Sequence, residues 1–263
     1  MVSISPAFAS TPARVGDAHV HVYDDAHAEA VLDAAARFGV QRVFVSCLGP
    51  PPLQFVPPID VCRRSNRVVS RAMARYAGQV IGYCYANPRH EAGALAEFRT
   101  CVEDLGLRGL KLWMACFCDD PRVFPLVEQA IAYDVPVLIH TWSKAGGSLE
   151  NESEAPHVAR LAQRYPEVKI LMAHMSGDWL RGLKAIRAYP NVRVDTSGID
   201  PEEGQVETAI AELGAERVLF GSDMPIRDLA SQLAKILGAD VDPQTRSSLL
   251  WDNLQSLLGR HAP

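Results

Sequence analysis

The sequence predicts an α/β fold, a single (β/α)₈ barrel of the TIM type with an additional helix at its C-terminus. Eight strand-like apolar runs alternate with stretches of helical periodicity, which is the order expected of parallel strands joined by helices. The chain has 263 residues, close to the roughly 250 that such a barrel typically uses. An open doubly wound sheet would show the same alternation, but no G-x-G-x-x-G motif follows the first run, which disfavours a dinucleotide-binding sheet.

The eight predicted strands are short apolar runs that cover residues 14–22, 40–49, 79–88, 107–114, 135–142, 168–177, 191–198 and 217–225. Helical periodicity is clear in residues 27–39, 91–106, 121–134 and 201–214, and a last helix is expected at roughly 243–259. Glycines are expected to end three of these helices and prolines to stand in the first turn of two, namely Gly39, Gly106, Gly214, Pro121 and Pro201. We predict one domain covering residues 1–263.

The composition excludes several classes of partner. The chain has 26 Lys and Arg against 31 Asp and Glu, a net charge of −5, and its basic residues do not cluster, so nucleic acid is not expected as a partner. The apolar runs are too short to cross a membrane, and the first 15 residues lack the pattern of a signal peptide. We therefore expect a cytoplasmic protein with six reduced cysteines and a small-molecule substrate. The sequence does not define its oligomeric state.

Ionisable side chains stand at the C-terminal ends of the predicted strands, where a barrel of this kind builds its active site. They are His19 and His21 on the first strand, Lys111 on the fourth, His140 on the fifth, His174 on the sixth, Asp195 on the seventh and Asp223 on the eighth. Because side chains alternate along a strand, Asp17 is expected on the same face as His19 and His21, and His174 on the same face as Ile170 and Met172. Closure of the barrel would bring Asp223 beside the two histidines of the first strand.

Several imidazoles and a carboxylate at one end of a barrel are the donor set of a divalent metal site, and they suit Zn²⁺. A catalytic site of this kind keeps one position open for water and lowers the pKa of that water to about 7. The pair His19 and His21 alone would be weak evidence, because single histidines usually make ordinary hydrogen bonds. Their combination with His140, His174 and Asp223 predicts a metal site, with His174 suited to acid–base work because its ordinary pKa lies near neutrality.

The motifs resemble those of the amidohydrolase superfamily, within it the amidohydrolase-related (amidohydrolase 2) branch of metal-dependent barrels. The resemblance spans nearly the whole chain through "GDAHVHV", "RGLKLW", "PVLIHT", "ILMAHMSG", "VDTSG", "LFGSDMP" and "NLQSLLG". This branch contains lactone and amide hydrolases as well as non-oxidative decarboxylases related to aminocarboxymuconate-semialdehyde decarboxylase.

The resemblance implies a role for each polar residue at the strand ends. The implied metal ligands are His19, His21, His140 and Asp223, holding one divalent metal, Zn²⁺ first, with Mn²⁺, Co²⁺ and Fe²⁺ also suited to these ligands. His174 is implied as the acid–base residue, and Asp223 as a second group that takes a proton from the attacking water. Asp17 and Asp195 are expected either to support the ligands or to have a purely structural role. Lys111 is expected as an unmodified amine that helps to bind an anionic substrate; a carboxylated lysine bridging two metals is the alternative.

The walls of the pocket are expected to come from residues near the strand ends and from two loops. Trp113 and Trp142 are candidate walls, and Lys144 and Arg227 are candidate carboxylate binders, or else ordinary surface charges. The loop 49–60 contains five prolines and should be stiff, whereas the loop 142–156 is rich in Gly and Ser and could act as a lid. The remaining histidines, which are His27, His90, His157 and His261, are assigned no chemistry.

Three functions fit these residues. The preferred one is a metal-dependent hydrolase of a small carbonyl substrate, a lactone or an amide, which uses a metal-activated water. The second is a metal-dependent decarboxylase of a small unsaturated or aromatic carboxylic acid, which could use the same residues. The third is a metal-binding barrel without catalytic activity. Hydrolysis is preferred partly because this compact chain leaves little room for the insertions that many decarboxylases of the branch carry.

Overall fold

A computed structural model of the chain describes residues 14–258, and the structural statements below concern this part of the sequence. The strands are β1 (Val15–Val22), β2 (Val40–Cys47), β3 (Val80–Gly82), β4 (Cys84–Tyr85), β5 (Leu110–Leu112), β6 (Val137–Ile139), β7 (Ile170–Met172), β8 (Val192–Asp195) and β9 (Val218–Leu219). The helices are α1 (Asp25–Arg37), α2 (Ile59–Arg75), α3 (Ala92–Glu103), α4 (Phe124–Tyr133), α5 (Ala155–Arg164), α6 (Trp179–Ile186), α7 (Gln205–Leu213), α8 (Leu229–Gly238), α9 (Pro243–Ser247) and α10 (Asn253–Leu258).

Every pair of neighbouring strands is parallel, and the order follows the sequence from β1 to β3 and from β4 to β9. The two groups are joined at Tyr83, which separates β3 from β4: its N–H bonds the carbonyl of Val45 at 2.8 Å, and the N–H of Cys84 bonds the carbonyl of Gly109 at 2.8 Å. β3 and β4 are therefore two parts of one barrel strand, the third of eight.

The barrel is closed by hydrogen bonds between β1 and the segment that begins with β9. The N–H of Ala18 bonds the carbonyl of Phe220 at 2.9 Å, and the N–H of His21 bonds the carbonyl of Met224 at 2.7 Å. Together with the parallel strands and the helices between them, this closure confirms the predicted (β/α)₈ barrel and its C-terminal helix. It also excludes the open sheet.

Two large clusters of apolar side chains form most of the core, and a small third one consists of Leu48, Cys62 and Tyr85. The largest one packs the outer faces of the strands against the helices and includes Ile170 and Met172. The second one fills the barrel and is closed at one end by the last helix; it consists of Ala18, Phe44, Ile81, Tyr83, Leu138, Leu171, Ala173, Leu219, Leu254, Leu257 and Leu258. Gly16 at the start of β1 allows this closure, because a Cβ there would lie 2.5 Å from a methyl group of Leu254.

Most strands are shorter than the predicted apolar runs, and three further differences bear on the site and the helices. β7 ends at Met172, and residues 173–176 form a tight turn in which His174 has a left-handed φ of 61°. Pro201 does not stand in a first turn, because α7 begins four residues later, at Gln205. The last helix contains a wider π-helical turn over Ser248–Asp252 between α9 and α10, and residue 259 lies outside the described part. Within residues 14–258, no helix combines the length and the apolar character needed to span a bilayer.

Candidate functional site

Three predicted metal ligands converge at the mouth of the barrel, where β1 meets the segment after β9. The Nε2 atoms of His19 and His21 are 3.1 Å apart, and the Oδ1 atom of Asp223 lies 3.2 Å from the Nε2 of His21 and 3.6 Å from that of His19. All three side chains are buried, and their ligand atoms lie within 4.8 Å of one another. The hydrogen bond from the N–H of Asp223 to the carbonyl of His19, at 2.8 Å, holds the two segments in this register.

The imidazole of His19 is oriented by Asp195 at the end of β8. Its Nδ1 lies 3.0 Å from the Oδ2 of Asp195. Burial opposes ionisation of Asp195, but the attraction of His19 and the hydrogen bonds that Asp195 accepts outweigh it, so its pKa lies well below the usual range. An ionised carboxylate can only accept, so the Nδ1 of His19 carries a proton, and its Nε2 is the nitrogen that faces Asp223 and His21.

His174 reaches the same site through its left-handed backbone rather than through strand alternation. Ile170 and Met172, with which it was predicted to share a face, pack outward against the helices, whereas the Nδ1 of His174 meets the Oγ of Ser197 at 2.8 Å. Its N–H donates to the Oδ1 of Asp195 at 3.0 Å. His174 therefore does not share a face with Ile170 and Met172, and the prediction that it would was wrong, because the positive φ at His174 turns its side chain inward. Burial holds the pKa of His174 well below its ordinary value.

His140, just after β6, lies beside His174 rather than within the trio of His19, His21 and Asp223. Its Nδ1 is 3.2 Å from the Nε2 of His174, and its Nε2 is 3.2 Å from the Oε1 of Glu152. Burial lowers the pKa of His140, although Glu152 partly offsets this. The role of His140 as a fourth ligand therefore stays a prediction, with its Nδ1 as the nitrogen directed towards the site.

Lys111 on β5 is fully inside the barrel and faces the site as predicted. Its side chain is 1% exposed, and its Nζ lies 3.0 Å from the Nε2 of His19. Burial lowers its pKa to about 8, a shift that the charges of Asp223 and Asp195 partly oppose. The amine therefore stays largely protonated at neutral pH and places a cation beside the trio.

Asp17 does not lie on the face expected from simple alternation. The register of β1 against β2 shifts between Asp17 and Val20, because β1 contains one extra residue there, and such a bulge interrupts the alternation of side chains. The Oδ1 of Asp17 accepts from the N–H of His19 at 3.0 Å and from the N–H of Ser222 at 2.9 Å. Asp17 thus supports the ligands through their backbone and touches no imidazole.

A cavity of about 360 Å³ opens above these residues. The predicted walls Trp113 and Trp142 line it, as do Phe55 from the proline-rich loop and Leu149 from the loop after β6. Both predicted loops therefore border the site. The guanidinium of Arg227 lies over the Trp142 ring, 5.7 Å from its centroid.

The two candidate carboxylate binders differ in their surroundings. Lys144 forms an ion pair with Glu152, a carboxylate of the chain itself. Arg227 lines the same cavity, and no ion pair to it is found within residues 14–258. Arg227 is therefore the better placed of the two to meet an anionic group of a substrate.

Three residues of the site were missed by the sequence analysis, namely Ser46, Glu152 and Ser197. Ser46 near the end of β2 contacts the Nδ1 of His21 through its Oγ at 2.9 Å, and only its place at a strand end could have indicated it. Ser197 lies inside the "VDTSG" motif, two residues after Asp195, which was predicted. Glu152 stands in a loop whose conformation no local pattern defines. Of the histidines that were assigned no chemistry, His261 lies outside the described residues.

Comparisons with known proteins match almost the whole chain. Residues 6–260 match the sequence model of a family described as Amidohydrolase. The chain is 25% identical over 233 residues to the L-fucono-1,5-lactonase of Burkholderia ambifaria, which covers 80% of this chain and 73% of that protein. It is 22% identical over 274 residues to the gamma-resorcylate decarboxylase of a Polaromonas species, which covers 83% of each.

A crystal structure with the same fold is that of the dihydroxybenzoic acid decarboxylase from Polaromonas, with bound manganese and the inhibitor 2-nitroresorcinol. It superposes with a TM-score of 0.70 at 18% sequence identity and covers 93% of this chain and 96% of that one. At this identity the likeness concerns the fold alone.

Proposed function

This chain belongs to the amidohydrolase family, and we propose that it is a metal-dependent hydrolase of a small carbonyl substrate, a lactone or an amide. The observation that carries the proposal is the convergence of His19, His21 and Asp223 at the base of the cavity, beside Lys111 and His174. The relationship to a lactonase over 80% of this chain supports the same reading.

The donor set fits a divalent metal. The ionised Asp195 holds a proton of His19 on Nδ1, and the Nε2 of the same ring faces the Nε2 of His21 only 3.1 Å away. Burial lowers the pKa of His21 to about 4, with partial opposition from Asp223, so this imidazole is neutral at pH 7. Imidazole nitrogens and an ionised carboxylate that face one another across a buried site are the ligands that a cation requires.

We propose that His19, His21 and Asp223 hold the metal, with the Nδ1 of His140 as the fourth donor. Zn²⁺ suits this set best, and Mn²⁺, which a structural neighbour binds, suits the same ligands. A bound divalent metal supplies polarisation of a carbonyl oxygen and lowers the pKa of a coordinated water to about 7.

The remaining groups handle protons and charge. The carboxylate of Asp223 accepts a proton from the attacking water, and the neutral Nε2 of His174 accepts it in turn and passes it to the leaving group. The Nδ1–H of His174 donates to the Oγ of Ser197, whose own hydroxyl donates to Asp195, and its Nε2 faces the site beside the Nδ1 of His140. The ammonium of Lys111 stabilises negative charge that develops on the substrate oxygen.

Decarboxylation is the second candidate. Aromatic walls from Trp113, Trp142 and Phe55, with the cation of Arg227 at the rim, would suit a small aromatic acid, and one relative is a gamma-resorcylate decarboxylase. Decarboxylation would use the same metal ligands but consume a proton, whereas hydrolysis of a lactone releases one.

The sign of proton exchange separates the two candidates. Protein loaded with Zn²⁺, and separately with Mn²⁺, is mixed in weak buffer with a panel of small lactones and amides and with 2,6-dihydroxybenzoate. Lactone hydrolysis acidifies the solution, whereas loss of CO₂ from a carboxylate makes it more alkaline while the gas is purged. Amide hydrolysis at neutral pH yields a carboxylate and an ammonium with little net proton exchange, so the amides are followed by release of the amine, which also supports the proposal when it depends on the metal. Acidification with a lactone that depends on the metal supports the proposal, and alkalinisation with the aromatic acid alone would replace it by the second candidate.

The metal site is tested separately by elemental analysis. Asp223→Asn should retain less than about a tenth of the Zn²⁺ of the parent, since it removes the only anionic ligand. Asp33→Asn, at an exposed position of α1, is the matched control and should bind as the parent does. Equal metal in both variants would contradict the ligand set.

We also propose that residues 1–263 form one domain. The family model spans residues 6–260, and the strands of the described part form one closed barrel.

A further inference from the structure

The loop between β6 and α5 contains a buried carboxylate that the proposed mechanism does not use. The side chain of Glu152 is only 3% exposed, although its loop lies at the mouth of the barrel. Its two oxygens make different contacts: Oε1 meets the Nε2 of His140 at 3.2 Å, while Oε2 binds the ammonium of Lys144 and accepts from the N–H of Leu149 at 2.9 Å.

The contact to His140 determines which nitrogen of that imidazole carries the proton. The other oxygen of Glu152 contacts the ammonium of Lys144 and accepts from the N–H of Leu149, and both contacts favour the ionised carboxylate. The carboxylate can then only accept, so the proton of His140 resides on Nε2. The Nδ1 lone pair is left facing the site, 3.2 Å from His174.

The other oxygen connects the same carboxylate to the cavity wall. Lys144 and Leu149, which Oε2 holds, both line the cavity. The residue after Glu152 fastens the loop to the barrel, because the carbonyl of Ser153 accepts from the N–H of Trp142 at 2.9 Å and its Oγ accepts from the N–H of Cys118 at 2.9 Å. The position of Glu152 under His140 is thus available only when this loop is folded as observed.

We propose that Glu152 is the positioning residue of His140, which fixes its ring and its tautomer for metal binding and makes the site complete only when the loop 142–154 is closed. The inference rests on the proposed function, since it takes His140 as a donor to the metal. The competing interpretation is that Glu152 is only an anchor of the loop, through Lys144 and Leu149.

The test compares Glu152→Ala with two matched controls. Lys144→Met removes the ion pair but leaves the contact between Glu152 and His140, and Glu150→Ala removes an exposed carboxylate two residues earlier in the same loop. The dissociation constant for Zn²⁺ is measured by competition with a chromogenic chelator on metal-free protein. The ¹⁵N chemical shifts of His140 in the zinc-loaded protein report its tautomer.

Glu152→Ala should weaken Zn²⁺ binding by about 10- to 100-fold, the range typical when the hydrogen-bond partner of a ligating histidine is lost. Lys144→Met should change it by less than about fivefold, because a partly exposed ion pair contributes little, and Glu150→Ala should leave it unchanged. The ¹⁵N shifts should show a single Nε2-protonated form of His140 in the parent and in both controls, and a mixture of forms in Glu152→Ala.

Equal losses of affinity in Glu152→Ala and Lys144→Met, with the tautomer of His140 unchanged in both, would overturn the inference in favour of a loop anchor. Parent-like affinity and tautomer in Glu152→Ala would overturn it as well. Asp223→Asn, measured in parallel, separates this failure from failure of the proposed function. If Asp223→Asn loses the metal while Glu152→Ala keeps it, only the role of Glu152 is wrong, and if Asp223→Asn also keeps it, the metal site itself is wrong.

Discussion

At the scale of single residues, each imidazole of the site has a polar partner in contact with one of its ring nitrogens. Asp195 lies behind His19, Ser46 behind His21, Ser197 behind His174 and Glu152 behind His140, each within 3.2 Å of one ring nitrogen. In every pair, the other nitrogen of the ring is left to face the centre. The imidazoles could be chosen from the sequence because they stand at strand ends. Their partners could not all be chosen, since two of the four, Ser197 and Glu152, lie in loops.

Asp195→Asn should weaken Zn²⁺ binding by about 10- to 100-fold while the fold is retained. The carboxylate accepts from the ring of His19 and from the N–H groups of His174 and Ser197. The asparagine side chain has only one acceptor oxygen. Its NH₂ group would therefore lie against either the ring N–H of His19 or the N–H groups of His174 and Ser197, and all of these are donors as well. Zinc content by elemental analysis and far-ultraviolet circular dichroism check the two parts of the prediction, and parent-like zinc content would contradict it.

Gly198→Ala should lower the turnover of the metal-loaded protein at least about tenfold, the scale of losing correct placement of an acid–base group. A Cβ at this position would lie 2.3 Å from the Nδ1 of His174 and 2.9 Å from the Trp142 ring, so the imidazole must move. Gly204→Ala is the matched control, because Gly204 also has a positive φ but no atom within 4 Å of its Cβ position.

Zinc content should stay at the parental level in both glycine variants, since the atoms nearest to a Cβ at Gly198 belong to His174 and Trp142 and a Cβ at Gly204 would have no atom within 4 Å. If Gly204→Ala lost as much turnover as Gly198→Ala, the effect would come from backbone strain and not from displacement of His174.

At the scale of elements, the strands were easier to predict than their ends. Apolar runs identify all eight barrel strands, but the runs extend past the hydrogen-bonded segments, so His140, His174 and Asp223 stand just beyond the strands. His174, Met175, Ser176 and Asp223 all have positive φ, a conformation that costs energy for residues other than glycine and is concentrated at functional sites. Alternation therefore fails where the chemistry lies, because tertiary contacts impose the backbone there.

The loop 142–154 is held by more hydrogen bonds than its Gly- and Ser-rich composition suggests. Glu154, just before α5, accepts from the Oγ atoms of Ser143 at 3.2 Å and Ser148 at 2.6 Å, and it forms a capping box with His157. The Gly and Ser residues make the backbone of this loop flexible in the unfolded chain. In the folded protein, the contacts of Glu154 restrict that flexibility.

Glu154→Ala should release this loop and lower the free energy of unfolding by about 1 kcal/mol, the usual cost of losing a helix cap. Hydrogen–deuterium exchange of residues 143–153 measures the release of the loop, and urea denaturation measures the free energy of unfolding. Glu150→Ala, at an exposed site in the same loop, should change neither. Unchanged exchange in Glu154→Ala would show that other contacts hold the loop.

At the scale of the whole molecule, the buried imidazoles determine how stability depends on pH. In metal-free protein the pKa values of His21, His140 and His174 are lowered by burial, that of His21 to about 4. Below about pH 6.5 the unfolded chain binds protons that the folded protein does not. Its free energy of unfolding should therefore decrease as the pH falls from about 7 towards 4, as measured by urea denaturation in the presence of a chelator.

Asp17 opposes this decrease in stability at low pH, so a variant without its carboxyl group tests the explanation. Burial raises its pKa to about 7, so the folded protein keeps a proton that the unfolded chain loses above about pH 4, and this contribution stabilises the protein as the pH falls. Asp17→Asn removes it. The variant should lose stability more steeply than the parent between pH 7 and 4, by up to about 1.4 kcal/mol per pH unit. A shallower slope in the variant would contradict the assignment.

Closure of the barrel was predictable for a physical reason. Only a closed sheet brings the eighth strand beside the first. To predict that Asp223 lies beside His19 and His21 is therefore also to predict a closed barrel. The Oδ1 of Asp223 lies 3.6 Å from the Nε2 of His19 and 3.2 Å from that of His21, in agreement with this prediction. The bulge in β1 was not predictable, because the extra residue is recognisable only when β2 lies beside it.

The hydrogen bond between Asp17 and the N–H of Ser222 joins residues 205 positions apart in the chain, and this spacing has a consequence for biosynthesis. While the ribosome is still adding the last strand, the histidines of β1 already exist but have no carboxylate to complete their site. If His19, His21 and Asp223 hold a metal as proposed, a nascent chain lacks one of these three ligands until synthesis is almost finished. Premature capture of a metal ion by an incomplete barrel is disfavoured by the order in which the ligands are made.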